Sequence, residues 1–165
     1  MTAHMKTPGF GRLNYAAVSP GALQAMMKLG EQARKSGLED ILLELLNLRA
    51  SQLNGCGFCI DMHTKELRAA GVSEQKLYLL SVWRETALYS PRERAALAWT
   101  EALTRLGEGG VPDDVYDEVR AQFNDGELVD LTVAINVING WNRLNIAFHA
   151  EAGHYRVGSL KPKSA

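Results

Sequence analysis

Helix signals follow one another along most of the chain, and this feature limits most strongly how it can fold. Ser19 and Pro20 start one helix, because Ser caps free backbone N–H groups and Pro in the first turn gives up no hydrogen bond. Ser90 and Glu93 match the two ends of a capping box. No segment alternates convincingly with the period of two that a half-buried strand shows. The sequence therefore predicts an all-α, single-domain bundle of about seven helices.

Glycine, proline and Asn-Gly breaks separate the predicted helices. A glycine- and proline-containing arm is expected to be extended up to about Val18. Gly37 is expected to close the first helix, and Asn54-Gly55 to break the chain just before the cysteines. The predicted helices cover residues 20–37, 38–54, 56–71, 73–83, 91–107, 112–123 and 127–149.

The final predicted helix is apolar on nearly all sides, with Val, Ile, Leu and Trp residues throughout positions 133–146. Such a helix is buried on most of its surface, either in the core of the domain or at an oligomer interface. Gly140 in its middle allows a neighbouring helix to approach closely. Asparagines at positions 136, 139, 142 and 145 are expected either to line a pocket or to form a hydrogen-bonded polar stripe at an interface.

Length, charge and composition narrow the class of protein. A chain of 165 residues fits one domain. Its net charge of -1, without a basic patch, argues against binding to nucleic acid. The first twelve residues lack the apolar core of a secretory signal, and residues 128–148 are too polar for a membrane span. We therefore expect a cytoplasmic protein without membrane contact. Its two cysteines form one Cys-x-x-Cys, a pattern typical of redox or metal chemistry inside cells.

Cys56, Cys59 and His63 form the main candidate site. Spacings of three and four residues place the three side chains on one face of a helix. Because Asn54-Gly55 precedes it, Cys56 lies at the helix start, where the helix dipole favours a thiolate. A thiolate attacks peroxide to give a sulfenic acid, and a second thiol nearby then closes a disulfide. His63, one turn after Cys59, can exchange the thiol proton near neutral pH.

Glu44 is the fourth candidate residue. It borders the apolar face of the preceding helix, and a carboxyl group in apolar surroundings can relay protons. Glu44 is about 11 residues before the Asn54-Gly55 turn and His63 about 8 after it. At ~1.5 Å per residue, two antiparallel helices bring them within a few ångströms along the axis. We therefore expect Glu44 to contact His63.

These residues also resemble a known family. Glu44 followed by Cys56-Gly-Phe-Cys59-Ile-Asp-Met-His63 resembles the Glu…Cys-x-x-Cys-x-x-x-His signature of AhpD-like alkylhydroperoxidases, in the carboxymuconolactone decarboxylase superfamily. The specific likeness covers residues 38–99, and the segment 141–146 resembles one branch of the family. The resemblance implies a single domain over residues 1–165 with its core at about 38–107. It also implies protomers that form dimers, trimers or hexamers.

The resemblance further implies a cofactor-free and metal-free peroxidase that reduces small organic hydroperoxides in antioxidant defence. Carried over, Cys59 attacks the peroxide, Cys56 resolves the sulfenic acid, and His63 and Glu44 relay protons. A lipoyl-type dithiol or a thioredoxin-like protein would be the reductant. The peroxidases of the family carry a second histidine immediately before the second cysteine, whereas this chain has Phe58. Position at the helix start favours Cys56 as the more acidic thiol, so the identity of the attacking cysteine stays open here.

Other hypotheses use the same residues. A non-enzymatic redox-sensing or stress-response oligomer would form the disulfide without efficient turnover. A structural zinc site would take the two thiolates, His63 and Glu44 as ligands, although no second Cys/His pair completes the usual pattern. A decarboxylase-like acid–base reaction would use His63 and Glu44 alone, but decarboxylases of the superfamily lack the Cys-x-x-Cys. Two cysteines at helical spacing also occur as ordinary core residues.

Overall fold

The computed structural model describes residues 9–160, and within them it is built from helices, with only two isolated bridge pairs besides. The all-α prediction is confirmed, with eight α-helices and one 3₁₀ helix in the described residues where about seven helices were expected. The α-helices are α1 Tyr15–Val18, α2 Pro20–Arg34, α3 Asp40–Asn54, α4 Gly57–Ala69, α5 Glu74–Tyr78, α6 Pro91–Thr104, α7 Asp113–Arg120 and α8 Asp125–Phe148. The 3₁₀ helix covers Leu79–Glu85.

Helix α3 lies at the centre of the bundle and packs against α4, α6 and α8. Its leucines divide between two apolar clusters, because residues on opposite sides of a helix face different neighbours. Leu42, Leu43 and Leu46 join the cluster formed with α6 and α8, whereas Leu45 and Leu48 join the cluster formed with α4 and the 3₁₀ helix. Cys56 and Cys59, just after α3, are buried, although Gly55 in the α3–α4 connection is exposed.

Helix α8 is buried within the protomer, as its apolar sequence predicted. It packs against α2, α3, α4, α6 and α7, and only a few of its apolar residues, such as Val129, are exposed. It begins two residues earlier than expected, because Asn124 and Glu127 cap each other's backbone N–H groups. At Gly140 the close neighbour is the side chain of Met26, whose methyl group occupies the space that a Cβ would need.

Three local predictions need correction. The arm is not extended throughout, because Asn14 caps the one-turn helix α1, while residues 1–8 of that prediction lie outside the described range. Helix α2 ends at Arg34, before Gly37, and Ser19 occupies its N-cap without a side-chain hydrogen bond. The helix expected over 73–83 divides into α5 and the 3₁₀ helix, which is kinked at Val82. The capping box at Ser90 and Glu93 is confirmed.

None of the helices within residues 9–160 combines the length and the hydrophobicity needed to cross a membrane.

Candidate functional site

The connection between α3 and α4 determines where the cysteines lie. Gly55 adopts a left-handed conformation with φ of 72°, which glycine reaches without steric cost. Gly55 N then donates to Gln52 O, and Cys56 N donates to Ser51 O at 3.0 Å. This Schellman pattern ends α3 and turns the chain at once into α4, with Cys56 at the N-cap. The Asn-Gly pair of the sequence therefore places the first cysteine at a helix N-terminus, as predicted.

Cys56 and Cys59 are joined by a disulfide across the first turn of α4. Their Cα atoms are 5.4 Å apart, and the backbone N–H of Cys59 points at the sulfur of Cys56, 3.4 Å away. Each cysteine is only 1% exposed. The two cysteines predicted to act as a dithiol are thus joined as a disulfide, and both are buried.

Glu44 and His63 are in direct contact between α3 and α4. Glu44 Oε2 lies 2.7 Å from His63 Nδ1, which is the contact expected from their distances to the turn. His63 is 5% exposed, whereas the Glu44 side chain keeps 26% of its surface in solvent. When the Glu44 carboxylate is ionised it only accepts hydrogen bonds, and the proton of this contact is then on Nδ1. The other ring nitrogen, Nε2, is buried and has no hydrogen-bond partner within residues 9–160.

Asn145 of α8 reaches the second cysteine, a contact that the sequence did not predict. Asn145 Nδ2 lies 3.4 Å from Cys59 Sγ, and Tyr15 OH donates to Asn145 Oδ1 at 3.0 Å. Tyr15 is held by ring contacts with Phe10 and Phe148, and burial raises its pKa. The arm before α2 therefore contributes to the surroundings of the sulfur.

Asn139 and Asn142 of α8 form a polar stripe inside the protomer. Asn54 Nδ2 donates to the side-chain oxygens of Asn139 and Asn142, both at 2.8 Å. Asn142 Nδ2 donates to Ser51 Oγ. Only Asn136 of the four is exposed. Positions 139 and 142 thus form a hydrogen-bonded stripe against the end of α3, inside the protomer and not at the expected interface, whereas Asn145 lines a cavity.

The segment after α8 folds back over α4. Tyr155 OH donates to Glu66 Oε1 at 2.6 Å, and Gly158 N donates to the same oxygen at 2.7 Å. The ring of Tyr155 meets that of Phe58 edge to face, with centroids 6.5 Å apart. Burial, followed by the neighbouring Glu66 carboxylate, raises the pKa of Tyr155 to about 12. Phe58 is thus a packing partner of the returning segment.

Asp61 and Lys65 on α4 also bind this segment. Gly153 N donates to Asp61, and Lys65 Nζ bridges Asp61 and the carbonyl oxygen of Tyr155. Burial alone would raise the pKa of Asp61, but the hydrogen bonds from Lys65 and Gly153 outweigh it and lower that pKa. The segment that covers the cysteine helix is therefore tied down by charge as well as by packing.

An open cavity of about 420 Å³ lies at the start of α4. Cys56 and Phe58 line it from α4, and Asn145, Ile146 and His149 line it from the end of α8. Cys59 is not part of this lining. Within residues 9–160, no group of three or more His, Cys, Asp or Glu side chains is arranged to hold a metal ion.

Known protein sequences that resemble this chain include members of one family. The model of the carboxymuconolactone decarboxylase family matches residues 20–102, which include the cysteine segment. The uncharacterized protein YdfG of Bacillus subtilis is 41% identical over 136 residues, which is 82% of this chain and 92% of YdfG. The alkyl hydroperoxide reductase AhpD of Solibacter usitatus is 38% identical over 68 residues. That likeness spans 40% of this chain and 38% of the reductase.

A solved structure extends the likeness to the fold. An Agrobacterium tumefaciens protein of unknown function, suggested to be the antioxidant defence protein AhpD, shares 48% identity and a TM-score of 0.83. The match covers 87% of this chain and 99% of that one. The AhpD-like fold expected from the cysteine motif is thereby confirmed.

Proposed function

From the premise that this chain belongs to the carboxymuconolactone decarboxylase family, we propose that it reduces small organic hydroperoxides with the dithiol of Cys56 and Cys59. The observation that carries the proposal is the 2.7 Å contact between Glu44 and His63, one turn beyond a disulfide at a helix N-terminus. This combination supplies a nucleophile, a resolving thiol and a proton relay in one place. The family name alone indicates no single reaction, since function resides in the site.

The first half of the proposed cycle consumes the peroxide. The Cys59 thiolate attacks one peroxide oxygen, so that an S–O bond forms and the O–O bond breaks. His63, with Nδ1 held by Glu44, takes the Cys59 thiol proton at Nε2 and then gives it to the departing alkoxide, which releases an alcohol. The Cys56 thiol then attacks the sulfenic sulfur, closing the disulfide and releasing water. Two electrons pass from the two sulfurs to the peroxide.

The second half of the cycle restores the dithiol. An external dithiol attacks the disulfide, passes through a mixed disulfide and returns two electrons and two protons. We propose a lipoyl-type dithiol or a thioredoxin-like protein as this reductant, and a reducing compartment such as the cytoplasm as its location. Cys56 lines the cavity and Cys59 does not, so we propose Cys56 as the point of entry for the reductant.

A homo-oligomer is part of the same proposal. Helix α2 is largely exposed although it contains two methionines and two leucines, and Met27 and Leu29 keep 49% and 45% of their surface in solvent. Val18, just before it, is 64% exposed. Exposed apolar side chains on a helix favour association with another chain when a partner covers them. We therefore propose that α2 contributes to the interface between protomers, and light scattering of the pure protein gives the number of protomers.

The test of the proposed function is steady consumption of an organic hydroperoxide by chelator-treated protein with excess dithiothreitol. Cys56→Ser and Cys59→Ser should each abolish turnover. Met62→Leu, next to His63 on α4, is the matched control. It removes a thioether that can be oxidised by peroxide without a dithiol cycle, so it should leave turnover unchanged. Full turnover in Cys59→Ser would overturn the proposal.

A second candidate is a redox sensor that forms the same disulfide without useful turnover. The observation in its favour is that both sulfurs are 1% exposed and Phe58 occupies the position of the family's second histidine. A sensor forms one disulfide per protomer in the same assay and then stops, even with excess reductant. A decarboxylase-like reaction, in contrast, would survive in a protein that carries both Cys→Ser substitutions.

A further inference from the structure

Asn145 is the polar side chain of α8 that lies against the second cysteine. It is 6% exposed, its Nδ2 is 3.4 Å from Cys59 Sγ, and its Oδ1 accepts from Tyr15 OH at 3.0 Å. Three separate elements, α1, α4 and α8, meet in this chain of contacts. No step of the proposed cycle described above uses Asn145 or Tyr15.

We propose that Asn145 is a positioning residue whose side-chain N–H stabilises the Cys59 thiolate, and that Tyr15 fixes the orientation of its amide. The inference rests on the proposed function, since peroxide attack requires Cys59 as a thiolate. Asn145 makes no bond to the peroxide. It acts by setting how much of the thiol is ionised and where the sulfur points.

The chemistry of the amide explains why Tyr15 is needed. A thiolate accepts hydrogen bonds and donates none, so the NH₂ end of the Asn145 amide must face it. The amide would otherwise be free to turn its oxygen toward the negative sulfur. Tyr15 prevents this by donating to Oδ1, and the phenol keeps its proton because burial raises its pKa.

The contact gains strength when the sulfur becomes charged. A disulfide sulfur is a weak acceptor, whereas a hydrogen bond to an ionised group is shorter and about twice as strong as a neutral one. The Asn145 N–H therefore favours the reduced, ionised state of Cys59 over the neutral thiol. The same interaction helps Cys59 to leave as a thiolate when a reductant attacks Cys56.

Other titratable groups also surround Cys59. Cys56 and His63 lie on its own helix, Glu44 faces it from α3 through His63, and Tyr15 faces it through the Asn145 amide. His149 lies on the wall of the adjoining cavity. A test of the amide must therefore leave these groups unchanged or change only one of them.

The test measures ionisation of Cys59 without any peroxide. In reduced protein carrying Cys56→Ser, the rate of alkylation of Cys59 by iodoacetamide is followed from pH 5 to pH 9. Asn145→Leu keeps the approximate size and removes the donor, whereas Asn145→Asp replaces it with a carboxylate. Tyr15→Phe keeps the ring and removes only the hydroxyl, so it decides the question if the Asn145 variants do not fold. Asn136→Ala, on the exposed side of α8, is the matched control.

We expect Asn145→Leu to slow alkylation at neutral pH about tenfold. Loss of a hydrogen bond to a charged group should move the midpoint of the alkylation profile to higher pH by about one unit or more. Asn145→Asp should slow it further, Tyr15→Phe less, and Asn136→Ala should leave it unchanged. Identical pH profiles in all folded variants would overturn the inference. Peroxide turnover is a separate measurement, so a protein that shows the shifted profiles but no turnover contradicts the proposed function and not the role of Asn145.

Discussion

Glu44 Oε2 and His63 Nδ1 lie 2.7 Å apart, and this contact orients the imidazole ring, whose Nε2 has no hydrogen-bond partner within residues 9–160. The two residues are 19 positions apart in the chain and meet because α3 and α4 are joined by a short turn. A histidine oriented in this way by a carboxylate is a common proton-transfer device in enzymes.

The first prediction concerns this pair. Glu44→Gln should lower peroxidase turnover by about 10-fold to 100-fold, and His63→Asn by about 100-fold or more, since a positioned proton-transfer group contributes about 10²–10⁴. Asp40→Asn, on the exposed first turn of α3, is the control and should leave turnover unchanged. Steady-state rates with saturating dithiol provide the measurement. Equal rates for Glu44→Gln and the native protein would show that the contact is structural only.

The second prediction separates the two sulfurs. Cys56 lines the open cavity and Cys59 does not, so a disulfide reagent should reach Cys56 first. In Cys59→Ser, the remaining Cys56 thiol should react with 5,5′-dithiobis(2-nitrobenzoic acid) several times faster than the Cys59 thiol does in Cys56→Ser. Absorbance of the released thiolate follows both reactions. Faster reaction at Cys59 would contradict the assignment of Cys56 as the entry point for the reductant.

The third prediction uses the position at which this chain departs from the family pattern. Phe58→His should raise the peroxidase rate, because it adds a proton-transfer group beside Cys59. Phe58→Leu loses the ring contact with Tyr155 without adding that group, so it is the matched control. Rates at neutral pH distinguish the two variants. An equal change in both would mean that packing, and not proton transfer, controls the rate at this position.

The fourth prediction concerns the segment that covers α4. Tyr155→Phe removes one donor from the buried Glu66 carboxylate, which should lower the free energy of unfolding by about 1–3 kcal/mol. Tyr116→Phe, at a half-exposed position, should have little effect. Urea unfolding at pH 7 measures both, and a loss equal to that of Tyr116→Phe would contradict the role given to this hydrogen bond.

The same tyrosine predicts a pH dependence. The pKa of Tyr155 is about 12 in the folded protein against an ordinary value of 10.0, so the folded state holds the phenolic proton more tightly than the unfolded chain. The stability due to this group is therefore complete below pH 10 and is lost as the pH rises from 10 to about 12. Urea midpoints across this range should fall less steeply in Tyr155→Phe than in the native protein. Equal slopes would contradict this assignment.

The sequence was sufficient for the parts of the site that depend on local rules. Helix breaks, helix caps and the Asn54-Gly55 turn depend on residues that are adjacent in the sequence. The α3–α4 connection and the contact between Glu44 and His63 could therefore be predicted from them. The contact from Asn145 to Cys59 spans 86 residues and that from Tyr15 to Asn145 spans 130. Such pairs depend on how the helices pack, for which one sequence gives no rule. The three-residue recurrence of asparagine in an apolar helix was the available signal, but it did not indicate which side chain would reach the sulfur.

A single-turnover reaction tests the central claim most directly. Fully reduced, chelator-treated protein is mixed with one equivalent of cumene hydroperoxide, and alcohol and remaining thiols are measured in the same sample. We predict one alcohol formed and both thiols lost for each protomer, with the Cys56–Cys59 disulfide as the protein product. Unchanged hydroperoxide in the presence of intact thiols would contradict the dithiol peroxidase account.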